Sequence, residues 1–370
     1  MTGKSRFGWV AFVLGLVAVF SGCTRVPSVI EKASQEDGRV VRENNKASGP
    51  IISLNLSLMQ LNREDAQEID SQRELVALSL NSTGISDEFV RDLLHLTKLR
   101  ELRLAHTQVT NAGVEFMVST FGRLETLDLG GTKVTDEVMK KLAGQKQMRS
   151  VALNLTQISD QGVMQLSLIE NLEGLDLTGT ALTDRGMRDI SSLSKLKALK
   201  VSFTKITDHG VADLVKLKPL RELYVSHTGI SDEGMQGIGQ LTSLRTLWLG
   251  ELSLSEKGLE KLAKLRFLEK LYLGDTGISD EGLRTVTKLE TIEELYLDGA
   301  RISDNGIKSL SKLPNLRLLS LYNTKLTDKC LDDQSMNKRL RRVDLRNTRI
   351  TMEGARVLAG RLADCQVISE

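Results

Sequence analysis

From residue 51 onward the apolar residues change their spacing in a regular way. Short stretches alternate strictly, as in Leu102-x-Leu104, Leu127-x-Leu129, Leu175-x-Leu177, Leu223-x-Val225, Leu271-x-Leu273 and Leu295-x-Leu297. Alternation predicts a strand that turns both aliphatics inward and the residue between them outward. A polar turn follows each stretch. Apolar residues then recur at helical spacing, as in Val211, Leu214, Val215 and Leu217. Pro219 and Pro314 fall between a helix and the next strand, where no ladder hydrogen bond is needed.

The turns align on Thr-x-Ile-Ser/Thr-Asp-x-Gly. The leading position is Thr83, Thr107, Thr132, Thr156, Thr180, Thr204, Thr228, Leu252, Thr276, Ala300, Thr324 and Thr348. Every step is 24 residues except the 25 between Thr107 and Thr132, and a degenerate unit begins at Leu54-x-Leu56. So strict a period predicts a solenoid of about 13 units over residues 51–370. The fourth position is Ser or Thr in every unit, from Ser86 to Thr351, and Asp follows it in nine of the twelve. A hydroxyl capping a helix, with a carboxylate in the first turn, suits the orphan N–H groups and the helix dipole. Phe89, Val138 and Cys330 stand at the Gly position in three units. That Gly is therefore expected to make room for a neighbouring turn, since bulky residues fit φ > 0 poorly. The repeated Thr is expected to be a buried hydroxyl bonding turn backbone.

Strand, capped turn and short helix in 24 residues resembles the leucine-rich repeat, of the cysteine-containing and ribonuclease-inhibitor-like kinds, with Thr where the first often has Cys. The resemblance implies an α/β right-handed solenoid, a curved horseshoe with parallel strands on the concave face and helices on the convex face. Strands stack ~4.8 Å apart and helices need ~8–10 Å, so such a stack must bend.

In a scaffold fixed by the motif, function belongs to the outward strand positions that vary. Four consecutive units carry an aromatic there, Tyr224, Trp248, Tyr272 and Tyr296, and Tyr322 sits at the next outward position of the following unit. All four Tyr of the protein and one of its two Trp are thus expected on the concave sheet. Glu222, Lys270, Glu294, Ser226 and Asp298 flank them, with His227, Glu251 and Asp275 at the edge. Side-by-side aromatics could serve only to stabilise the sheet, at ~0.5–1 kcal/mol a pair. Leu or Val would do that as well but could not hydrogen-bond a ligand, so a binding strip is the favoured reading.

Composition narrows the function. With 40% hydrophobic and 26% charged residues the chain is neither disordered throughout nor a multi-span membrane protein. Lys plus Arg number 50 against 48 Asp plus Glu, which argues against a nucleic-acid binder, and the basic stretch Lys338–Arg349 suits a solvated end unit. Three cysteines exclude a disulfide scaffold. Cys330 and Cys365 lie two units apart, so two buried, unbridged thiols are expected. There is no HExxH, CxxC or Walker loop; Gly3-Lys4-Ser5 lacks the upstream Gly. His106 and His227 are five units apart, about 25 Å by strand spacing, and cannot share a metal. Asp128 and Asp176, about 10 Å apart, make no catalytic pair. No enzymatic activity, cofactor or metal is expected.

The N-terminus reads as an address. Lys4 and Arg6 precede the apolar run Phe7 to Phe20, then Ser21, Gly22 and Cys23. These are the parts of a secretory signal, and the run is shorter than the ~20 residues of a spanning helix. Small residues before a cysteine resemble a bacterial lipobox, although Phe20 replaces the usual Leu. The expectation is a signal peptide over 1–22, a lipidated Cys23 and a flexible tether over 23–50, with an uncleaved anchor as the alternative. The overall reading is an envelope lipoprotein that binds a macromolecule, most readily a protein, through its concave sheet. A glycan stacked on the same aromatics is a second reading. A substrate receptor of ubiquitin-ligase type, suggested by the resemblance alone, is a third; the exported N-terminus opposes it.

Overall fold

The computed structural model describes residues 28–36, 39–46, 49–331, 337–362 and 364–369. The leader and Cys23 lie outside them. Fifteen strands form one sheet whose order follows the sequence from end to end. All neighbours are parallel except the first pair, Val40–Arg42 against Ile51–Asn55. The inter-strand steps follow the 24-residue period, so Leu223, Leu247, Leu271 and Leu295 stand opposite one another. These leucines are fully buried, part of one continuous aliphatic core between the sheet and the row of helices. The helices are short, and the units at Gly306–Lys312 and Asp328–Leu331 tighten to 3-10 turns.

The Thr of the turn donates to its own unit. Thr107 Oγ1 bonds Leu104 O at 2.7 Å, Thr180 bonds Leu177 O at 2.7 Å, and the pattern recurs through Thr348. Each bond closes a turn whose residue before the Thr sits at φ near +55 to +70°.

The Asp of the motif bonds across units, which sequence reasoning missed. Asp87 Oδ1 accepts from the Thr110 amide at 2.8 Å, and Oδ2 from the Thr110 hydroxyl at 2.6 Å. Asp160 and Thr183, Asp184 and Thr207, and Asp208 and Ser231 repeat it. Each carboxylate thus anchors the next unit's helix cap. The motif Gly is where that carboxylate lands: a Cβ on Gly113 would lie 2.4 Å from Asp87 Oδ1, and one on Gly210 2.5 Å from Asp184 Oδ1. The room made by the Gly therefore holds a neighbouring side chain.

The tether reading fails for its described part. Residues 28–36 and 39–46 cap the solenoid. Ser28 and Glu31 form a capping box on the helix Val29–Ala33, whose Val29, Ile30 and Ala33 are buried. Glu68 accepts the Val29 amide at 3.0 Å. The strand Val40–Arg42 then covers the outer edge of Ile51–Asn55. The physical reason is that the first repeat would otherwise expose its core end and an unpaired strand edge. The expectation of two buried thiols is also corrected: Cys330 is buried, whereas Cys365, beside the last strand, is only partly covered.

Candidate functional site

Strand register places the outward aromatics side by side. Trp248 pairs with Tyr224 on one side and Tyr272 on the other, and Tyr272 pairs with Tyr296. All four side chains are half-buried. The rings stack: Tyr224 on Trp248 at 5.3 Å, Trp248 on Tyr272 at 4.5 Å, and Tyr272 on Tyr296 at 5.7 Å, tilted 45°.

The group is tighter than a simple column. Tyr296 and Trp248 are two strands apart, about 10 Å by strand spacing, yet their centroids are 6.0 Å apart. Two glycines at the next outward position accommodate the Tyr272 ring between them. A Cβ on Gly250 would lie 2.4 Å from Tyr272 Cε1, and one on Gly274 2.6 Å from its hydroxyl. The Tyr272 ring therefore lies down over buried backbone. The signal was present in the sequence as Trp248-x-Gly250 and Tyr272-x-Gly274, but only ring geometry gives it meaning.

Tyr322 stands apart from the stack. It is exposed, with the Arg346 guanidinium 5.7 Å from its ring centre. At the other end Lys200 Nζ lies 5.3 Å from the Tyr224 ring centre. Among the flanking residues, Lys270 and Glu294 pair at 2.7 Å, and the Tyr296 hydroxyl donates to Glu294 at 3.1 Å. Glu222 is exposed at the edge of the Tyr224 strand. Asp298 accepts from the Ser320 hydroxyl and the Tyr322 amide.

The electrostatics follow. Burial, then the negative Glu294 and the hydrogen bond to it, push the Tyr296 phenol up to about 12. Burial raises Tyr224 and Tyr272 as well, the latter helped by Asp298, Asp275 and Glu251. Lys270 is raised by its bond to Glu294. Burial raises Asp298 above the ordinary carboxylate range, against its two hydrogen bonds. The phenols are thus neutral donors at ordinary pH, set among carboxylates.

The other residues singled out in the sequence are dispersed. Asp128 and Asp176 each accept an amide of their own turn, Gly130 and Thr178, at 3.0 Å. A further histidine, His95, pairs with Asp70 at 2.6 Å. His227 Nδ1 lies 2.9 Å from Glu251 Oε2, and its ring stacks on Phe203 at 4.7 Å. Among the described residues no group of three His, Cys, Asp or Glu could hold a metal ion.

Strand, turn and helix at this pitch, with one open parallel sheet, agree with the family comparison. A family model described as leucine-rich repeat matches residues 95–118, 192–215, 216–239 and 264–286. Those four segments are leucine-rich repeats, and the fold is a leucine-rich-repeat solenoid. Among solved structures, the repeat solenoid is similar to an internalin (inlF) from Listeria monocytogenes, at 23% identity over 88% of this chain and 91% of that one, with a TM-score of 0.62. It is also similar to a chain of the mouse RP105/MD-1 complex, at 19% identity over 81% of this chain and 51% of that one, with a TM-score of 0.55. At such identities the likeness concerns the fold. No curated protein sequence matches the chain. Leucine-rich repeats serve commonly as binding scaffolds without enzymatic activity, and the aromatic stack lies on the sheet face of this one.

Proposed function

We propose that this leucine-rich-repeat protein recognises a protein partner through its sheet face, centred on Tyr224, Trp248, Tyr272 and Tyr296, with Glu222, Lys270, Glu294, Asp298 and Tyr322 contributing polar contacts. The single observation behind this reading is the ring stack: four large aromatics in one half-exposed group. Rigid, partly wet aromatics with neutral hydroxyls are the side chains that anchor protein interfaces. The fold neighbour RP105 occurs in a complex with MD-1, which is consistent with such use of the fold.

Protein is favoured over glycan by how the ring faces are used. A sugar ring needs an open aromatic face. Here the faces of Trp248 and Tyr272 lie against other rings, and Tyr224 and Tyr322 have cations over theirs. What remains is mostly edges and hydroxyls.

We also propose that the protein is exported and held in the cell envelope by a lipid on Cys23. The support is the basic, apolar and small-residue sequence ahead of that cysteine. Among the described residues no helix is long and apolar enough to cross a membrane. The Thr-bearing motif supports placing the units with the cysteine-containing and ribonuclease-inhibitor-like repeats.

Two experiments test the reading. Metabolic labelling with a lipid precursor should mark the native chain and not Cys23→Ala; equal labelling would refute the anchor. A cross-linking pull-down from envelope should lose its partner when Tyr224 and Trp248 are both replaced by Ala. Undiminished capture by that folded variant would refute the strip.

A further inference from the structure

The turn that follows each strand demands a left-handed residue just before the Thr position. In many units this place holds Gly, Asn or Asp, as at Gly131, Gly179, Asp275, Gly299, Asn323 and Asn347. In the three consecutive units that lead into the aromatic stack it does not: Phe203 (φ +56°), His227 (φ +53°) and Glu251 (φ +59°) occupy it, and Leu155 (φ +56°) does so two units before Phe203. A bulky side chain in this conformation is strained; the repeated turn imposes the strain, and such strained positions cluster at functional sites. Burial gives no compensation, since Leu155 is 59% and Phe203 53% exposed.

From Phe203 onward these residues form a ridge along the edge of the sheet, with Leu155 two units ahead of it across Gly179. Leu155 lies over Gly179, where a Cβ would be 2.7 Å from its Cδ2. Phe203 stacks on His227, and His227 meets Glu251. The ridge then turns acidic. Asp275 follows Glu251, with its carboxylate over Gly299. Asp298 lies at the next outward position from Tyr296. Among the described residues neither Asp275 nor Asp298 pairs with a Lys or Arg.

We infer that this ridge and the aromatic stack together dock one protein segment that is apolar where it meets Leu155 and Phe203 and carries Lys or Arg where it meets Glu251, Asp275 and Asp298. The inference rests on the sheet-face reading above and adds the partner's chemistry. Charge complementarity sets its polarity: an exposed apolar stretch runs into Glu251, which His227 meets, and then into Asp275 and Asp298, which pair with no Lys or Arg among the described residues. Strand spacing sets its length. Phe203 lies two units from Glu251 and three from Asp275, about 10–14 Å, which an extended segment spans in about three to five residues.

The test is selection of short random peptides displayed on phage against the full chain, followed by affinity measurement of the enriched peptides. The expected peptides carry an aliphatic or aromatic residue about three to five positions from a Lys or Arg. Phe203→Asn should weaken them at least about tenfold while its melting temperature stays level or rises, because Asn suits the left-handed turn. Glu251→Lys with Asp275→Lys should weaken them similarly. Acidic peptides, or basic ones that bind both variants as they bind the native chain, would overturn the inference. If such peptides are nevertheless lost on Trp248→Ala, the sheet-face reading stands and the ridge falls; if they survive that change too, both fall. Self-association of the chain that Phe203→Asn abolishes would assign the ridge to a second copy and overturn the proposal.

Discussion

Replacing Asp87 and Gly113, singly and together, tests the inter-unit lock that sets the pitch of the solenoid. Asp87 receives the Thr110 amide at 2.8 Å and its hydroxyl at 2.6 Å. Bonds to a charged acceptor contribute roughly 1.5–3 kcal/mol each, and water recovers part of that at a half-exposed site, so Asp87→Ala should cost about 2 kcal/mol. Gly113→Ala has two opposed effects. Ala gains about 1 kcal/mol over Gly inside a helix. Its methyl would lie 2.4 Å from Asp87 Oδ1, so the carboxylate must swing away and forfeit its bonds. The net expectation is a loss of about 1 kcal/mol. With Asp87 already Ala there is no carboxylate to displace, and only Val109 Cγ1, at 3.0 Å, resists the methyl. Gly113→Ala should then be neutral or stabilising by up to about 1 kcal/mol, a coupling of about 1–2 kcal/mol. Urea unfolding of the four proteins, with hydrogen exchange of the Thr110 amide as a local readout, measures it. Equal effects of Gly113→Ala in both backgrounds, within about 0.5 kcal/mol, would refute the reasoning.

Gly274→Ala should lift the Tyr272 ring off the sheet, changing the Trp248 emission and the near-ultraviolet dichroism of the stack while costing the fold less than about 1 kcal/mol; unchanged spectra would contradict the packing described. Alkaline stability should fall between pH 10 and about 12. The Tyr296 phenol is raised from 10.0 to about 12 in the folded chain, so the stability from its neutral form is whole below the unfolded value and is lost as pH rises through the folded one; phenolate absorbance during denaturation at successive pH values checks this. Val29→Asp would bury a carboxylate beside Glu68 and cost roughly 3 kcal/mol. Hydrogen exchange should then accelerate in Ile51–Asn55 and leave the units beyond residue 150 protected, because each repeat contacts only its neighbours.

Sequence alone carried the architecture because the motif is local and repeated. Alternating leucines, a constant step and the turn hydroxyls each imply the same strand–turn–helix unit, and so which residues share the outer face of the sheet. What was not legible depends on contacts between units. The Asp of each motif reads as a helix-dipole partner until coordinates show it on the next unit's cap. The way the Tyr272 ring lies over Gly250 and Gly274 depends on their lack of side chains, which carries no periodic signal. The cap at residues 28–36 and 39–46 was hidden because it occurs once: Val29, Ile30 and Ala33 are too few to display a period, although Ser28-x-x-Glu31 is a helix start. Phe203 and Leu155 look like ordinary turn residues until the backbone shows the conformation they are forced to hold.

Site-directed photo-cross-linking in living cells tests most directly the claim that the aromatic sheet face meets a partner. A photoreactive residue at Glu222 or Lys270, both exposed beside the ring stack, should trap a discrete protein. The same residue at Gln236, exposed on the helical side, should not. A partner trapped from Gln236 and from neither sheet position would contradict the account.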